Sequence, residues 1–93
     1  MIEIPDGVYV HIFKSLSESE DNLYGLTLKR SGDNLPAEKR PWTHFTDIVI
    51  DAGQFVPQVG VEDVDFEKKA MTALGVQGFY LIKARIILPL RRR

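Results

Sequence analysis

Apolar and polar residues alternate along four stretches of this chain, and a longer apolar period occurs once. The two-residue period predicts β-strands at residues 7–13, 23–30, 42–51 and 78–90. Between the last two, apolar residues recur at i, i+4, i+7 and i+8, which predicts a helix over residues 63–74. We expect Asp63 to cap this helix and Gly75 to end it in a left-handed conformation. The predicted order of elements is β-β-β-α-β.

The stretch Trp42–Asp51 is compatible with two secondary structures. Five β-branched residues favour a strand, which is the structure we predict: Thr43, Thr46, Ile48, Val49 and Ile50. A helix is the alternative, because Trp42, Phe45, Val49 and Ala52 would line one helical face. Glycine and proline make residues 52–60 a loop, with a short extended piece at Gln54–Val56.

These elements predict a single α+β domain over residues 1–93. Its sheet is small, mixed or mostly antiparallel, with about four strands and one helix packed on one face. If the strands before and after the helix pair in parallel, the helix is their right-handed crossover. One helix cannot cover both faces of the sheet. The sheet therefore either curls into a partial barrel or leaves its second face as an interface.

Composition narrows the class of protein. The chain has 93 residues, of which 44% are hydrophobic and 27% charged, as in an ordinary globular domain. It contains no cysteine, which excludes disulfide scaffolds, cysteine zinc sites and thiol nucleophiles. The N-terminus is acidic, and charges interrupt the most apolar window, residues 79–90. We expect a cytoplasmic protein of bacterial or phage accessory type that does not insert in membranes.

The formal net charge of −1 conceals a separation of charge along the chain. Residues 47–67 hold six acids and no base, whereas residues 68–93 hold seven bases and no acid. Four of these acids, Glu62, Asp63, Asp65 and Glu67, fit the start of a helix, where its dipole favours them. A calcium loop does not fit, because Lys68 and Leu74 stand where such a loop needs Gly and Glu. The basic residues of the last strand and tail have no such local explanation.

The two histidines provide a candidate for acid–base or metal chemistry. His44, Asp47 and Asp51 would converge on one face of a helix. On a regular strand, Asp47 and Asp51 share a face and His44 lies on the other. His11 is the most plausible additional group for such a site.

Three functions follow from these patterns. We first predict a non-catalytic, cofactor-free and metal-free domain that self-associates as a homodimer or binds another protein, in the manner of small inhibitor or immunity proteins. Its contact residues would be Tyr9, His11, Phe13, Phe79, Lys83 and Arg85. The alternative is a nucleic-acid-binding protein that uses Lys83 and Arg85 with the terminal Arg91, Arg92 and Arg93. The third is a small enzyme or metal site at His44, Asp47 and Asp51. Nucleophile motifs and phosphate-binding glycine loops do not occur.

Overall fold

Five strands and one α-helix form the domain in the computed structural model, which describes residues 4–17, 22–56 and 65–83. The elements in chain order are β1 (Tyr9–Ser15), β2 (Leu23–Thr27), β3 (Trp42–Asp51), β4 (Gln54–Val56), α1 (Phe66–Gln77) and β5 (Phe79–Lys83). A single 3₁₀ turn, Ala37–Lys39, lies between β2 and β3. All five strands join one sheet in the order β4-β3-β1-β2-β5, and every neighbouring pair is antiparallel.

The predicted α+β class is confirmed, and the sheet curls into a half-barrel. Trp42–Asp51 is a strand, as its β-branched residues indicate. The short extended piece at Gln54–Val56 is a fifth strand, paired with the end of β3. β4 and β5, which flank the helix, lie at opposite edges of the sheet. Helix α1 therefore does not connect a parallel pair.

Helix α1 ends one turn later than the sequence predicts. Gly78, at φ 86°, is the left-handed residue, and its N–H donates to the carbonyl of Leu74 at 3.1 Å. The expectation that Gly75 ends the helix is wrong, because the backbone stays helical through Gln77. Asp63 lies outside the described residues, and Asp65 occupies the N-cap position. Within the described ranges, no helix is long and apolar enough to cross a membrane.

Helix α1 covers one face of the sheet and closes the core. Residues at alternate positions of the strands are buried there: Val10, Ile12, Tyr24, Leu26, Ile48, Ile50 and Phe55. Phe66, Ala70 and Leu74 pack onto them from the helix, at the i, i+4, i+8 spacing of one helical face. The Phe66 ring lies 6.0 Å from Phe55 and 6.1 Å from Tyr80, so the helix joins both edges of the sheet.

The second face is covered in part by residues 28–41, which we call the cover segment. Leu35 is buried over Gly25, where any Cβ would approach a Leu35 methyl to 2.8 Å. A Cβ at Gly32 would likewise approach the Phe13 ring to 2.8 Å. The indole N–H of Trp42 donates to the Pro36 carbonyl at 3.0 Å and holds the segment down. The cover segment therefore buries the aromatic centre of this face.

Candidate metal centre

Strands β1 and β3 bring both histidines of the chain to one aspartate. His11 lies at the middle of β1, directly opposite Asp47 on β3. His44 precedes Asp47 by three residues on the same strand and lies opposite Phe13. All three side chains belong to the second face of the sheet, beyond the part that the cover segment buries. His11 is only 9% exposed, whereas the side chains of Asp47 and His44 are 38% and 51% exposed.

A β-bulge places His44 on the same face as Asp47. Ile12 pairs with Thr46 and Phe13 pairs with His44, so Phe45 has no partner on β1. A regular strand sends residues i and i+3 to opposite faces, but one extra residue restores them to the same face. The expectation that a strand separates His44 from Asp47 is therefore wrong. The Phe45 ring contacts Tyr24, with 5.2 Å between ring centroids.

A single carboxylate oxygen accepts from both rings. Nδ1 of His11 lies 2.8 Å from Oδ1 of Asp47, and Nε2 of His44 lies 2.7 Å from the same oxygen. An ionised carboxylate only accepts hydrogen bonds, so both of these ring nitrogens carry hydrogen in this arrangement. The Phe13 ring meets His44 edge-on at 5.5 Å, and Tyr9 stacks beside His11 at 6.4 Å. Packing and hydrogen bonds together orient both imidazoles.

The environment of Asp47 favours its charged form. Partial burial works to raise the pKa of this carboxyl group, because it removes water from the charge. The hydrogen bonds from His44 and His11, and the positive charge of each ring when protonated, oppose burial and outweigh it. The pKa of Asp47 is therefore held below its ordinary value of 3.8. The cluster retains a carboxylate at neutral pH.

The three side chains match the donor set of a transition-metal site. One ligand atom from each of His11, His44 and Asp47 lies within 4.8 Å of the other two. Ligand atoms around a tetrahedral zinc ion are about 3.3 Å apart, since each bond is about 2.0–2.1 Å long. The nitrogen–oxygen separations of 2.8 and 2.7 Å differ from this by about 0.5 Å. Small side-chain rotations would bring the ligands to bonding distance.

Asp51 does not belong to this cluster, although the sequence places it with His44 and Asp47. It is exposed at the end of β3, where it pairs with Gln54 of the β3–β4 hairpin. Four residues of extended strand separate it from Asp47, which corresponds to about 13 Å. Its predicted place is taken by His11, from the neighbouring strand.

A depression in the surface adjoins the cluster. Its volume is about 360 Å³, and Tyr9, His11, Arg30 and Asp47 line it. Arg30 comes from the first turn of the cover segment, where its neighbour Lys29 forms an ion pair with Asp33 at 3.2 Å. Tyr9 is 57% exposed and forms an open wall. The cluster therefore has a solvent-accessible space beside it, which the Arg30 side chain also lines.

The described residues among those predicted to contact a protein partner differ in their exposure. Phe13 is 7% exposed beneath Gly32, and Phe79 is half-buried opposite Thr27 on β2. Lys83 is exposed at the far end of β5. Arg85 and the terminal Arg91, Arg92 and Arg93 lie outside the described residues. The protein-interaction and nucleic-acid hypotheses stay predictions.

Sequence reasoning missed Arg30, because no local pattern distinguishes it from other turn cations. It identified His11 only as an additional group, since residues 36 positions apart meet through strand pairing alone. Comparison with known proteins adds no functional information: no family model, curated protein or solved structure matches this chain.

Proposed function

We propose that this protein binds one divalent transition-metal ion, of which Zn²⁺ is the type, through His11, His44 and Asp47. The observation that carries the proposal is the convergence of both histidines on the same Asp47 oxygen, at 2.8 and 2.7 Å. The ion would take the place of the two hydrogens that these ring nitrogens now donate: a neutral ring would carry its hydrogen on the other nitrogen, and a protonated ring would release one proton to water. Each nitrogen lone pair would then point to the metal, with the carboxylate oxygen as the third ligand.

The ligand types favour zinc-like ions over calcium or magnesium. Imidazole nitrogen suits Zn²⁺, Co²⁺, Ni²⁺ and Cu²⁺, whereas Ca²⁺ and Mg²⁺ prefer sites made of oxygen ligands. Two imidazoles and one carboxylate are also a ligand set of catalytic zinc sites, which keep a fourth position for water or substrate. Three protein ligands beside an open depression support this type more than a closed structural site.

The site would be rigid on one side and adaptable on the other. His11 is held in the middle of β1 between Thr27 and Asp47, so its ring has little freedom. His44 is half-exposed and follows the bulge, so its ring can move by the small distance that metal binding requires. A partly pre-organised set of ligands reduces the entropy lost on binding.

A competition titration tests the proposal. Full-length protein without a histidine tag is stripped with a chelator, then titrated with Zn²⁺ at neutral pH against a chromophoric chelator. We expect one equivalent to bind. His44→Ala and Asp47→Asn should each weaken binding by at least about 100-fold, since loss of mere supporting groups costs about 10–100-fold.

Asp51→Asn is the matched control, because Asp51 is an exposed aspartate of the same strand that lies outside the cluster. It should bind Zn²⁺ as the wild type does. Circular dichroism confirms that each variant is folded. Wild-type protein that fails to compete for Zn²⁺ would refute the proposal, as would equal weakening by Asp51→Asn and Asp47→Asn. The cluster would then be a structural hydrogen-bond network only.

A further inference from the structure

We infer that the depression beside the cluster binds a small oxyanion, a phosphate or carboxylate group, between the metal ion and Arg30. The inference rests on the proposed metal site and names the class of ligand that the site takes. Three protein ligands leave at least one coordination position for an oxygen ligand from solution. His11 and Asp47 line the depression as well as the cluster, so this space is adjacent to the metal position.

The charges around the depression favour an anion. A divalent ion with two neutral imidazoles and one carboxylate keeps a net charge of about +1, and Arg30 adds a second positive centre on the same wall. Two positive centres that share a small space repel each other unless an anion lies between them. A bound oxyanion would give one oxygen to the metal and present others to the guanidinium.

The identity of Arg30 supports the same ligand. Its planar guanidinium matches phosphate and carboxylate groups, which it binds through two parallel N–H donors. The other cation of this turn, Lys29, is engaged with Asp33 at 3.2 Å. The cover segment is held to β2, because the Thr27 hydroxyl donates to Asn34 Oδ1 at 2.7 Å and accepts from the Lys29 N–H at 3.0 Å. Arg30 is therefore attached to a fixed part of the backbone.

The dimensions of the depression indicate a small molecule. Its volume of about 360 Å³ lies near the lower end of the range for ligand pockets, about 300–1,000 Å³. Two rings line it, those of Tyr9 and His11, and they are parallel within 21°. A ligand with an oxyanion and a short or planar remainder would fit this space.

Cobalt spectroscopy tests the inference on the full-length protein. Co²⁺ replaces Zn²⁺, and its visible absorption reports a change in the ligand at the open position. Inorganic phosphate and acetate are titrated separately as probes of the two members of the class. We expect at least one of them to change the spectrum and to saturate. Arg30→Gln should weaken that binding by about 10–100-fold, the effect of one hydrogen bond between charged groups.

Arg40→Gln is the control for general electrostatic attraction. Arg40 is exposed at the other end of the cover segment, next to Lys39, whose carbonyl accepts from Ser15. This variant should bind the probe as the wild type does. If Co²⁺ binds but neither probe changes the spectrum, the anion inference is refuted and the metal proposal stands. If Co²⁺ does not bind, both are refuted. If Arg30→Gln and Arg40→Gln weaken binding of the probe equally, a specific anion site is also refuted.

Discussion

Replacing His44 with alanine separates the structural role of this ring from its role as a ligand. Without metal, the change removes a half-exposed hydrogen bond to Asp47 and an edge contact with Phe13. Water replaces the hydrogen bond, so we expect a loss of about 0.5–1 kcal/mol in the free energy of unfolding. For a domain of this size, that lowers the melting temperature by about 2–8 °C.

With metal, the expected effect is much larger. Free Zn²⁺ at 100 times its dissociation constant stabilises the wild type by about 2.7 kcal/mol. That raises its melting temperature by about 10–20 °C. If His44→Ala weakens binding about 100-fold, the same Zn²⁺ concentration only equals the new dissociation constant. The stabilisation then falls to about 0.4 kcal/mol, which corresponds to about 2–3 °C.

Thermal unfolding followed by circular dichroism, with Zn²⁺ and with chelator, measures both quantities in each variant. Comparing the zinc-induced shift within a variant removes the cost of the substitution itself. Asp51→Asn should show the full wild-type shift. A His44→Ala protein that keeps more than half of the wild-type zinc shift would contradict the assignment of His44 as a ligand.

Three further predictions concern stability. Gly32→Ala should lower the free energy of unfolding by about 1–4 kcal/mol, because φ is +71° and the new methyl would lie 2.8 Å from the Phe13 ring. Urea unfolding that shows no such loss would contradict the packing of the cover segment on Phe13. Thr27→Val should cost about 1–2 kcal/mol in the same assay, since it removes a buried donor to Asn34 at 2.7 Å. Because the pKa of Asp47 is lowered in the folded protein, its carboxylate stabilises the fold above the ordinary value of 3.8. Without metal, the difference in the free energy of unfolding between wild type and Asp47→Asn should be full at neutral pH and shrink as the pH falls below that value. A difference that grows below that value would contradict the lowered pKa of Asp47.

Local pattern predicted the elements of this fold well. A period of two depends only on the pleat of a single strand, so Val10 and Ile12 are buried as their spacing indicates. The β-branched residues of Trp42–Asp51 likewise identified a strand. The pattern was less accurate for the end of α1, because both Gly75 and Gly78 are possible left-handed residues and only the packing of the chain selects one.

The metal centre needed information that no local pattern contains. The bulge at Phe45 changes the face of every residue on one side of it, and its position depends on how β3 pairs with β1. Without the bulge, His44 and Asp47 would point to opposite faces. Arg30 is a further case, because it joins the site only through the path of the cover segment.

The sequence by itself determined the α+β class, the buried face of β1 and the place of Tyr9, His11 and Phe13 together on the opposite face. The tertiary structure decided what happens on that second face. The cover segment buries its aromatic centre, while strand pairing brings His11 to Asp47 across 36 positions of sequence. Periodicity is a property of neighbouring residues, whereas register, bulges and loop paths depend on contacts between distant ones. For this reason the ligands were all visible in the sequence, but their convergence was not.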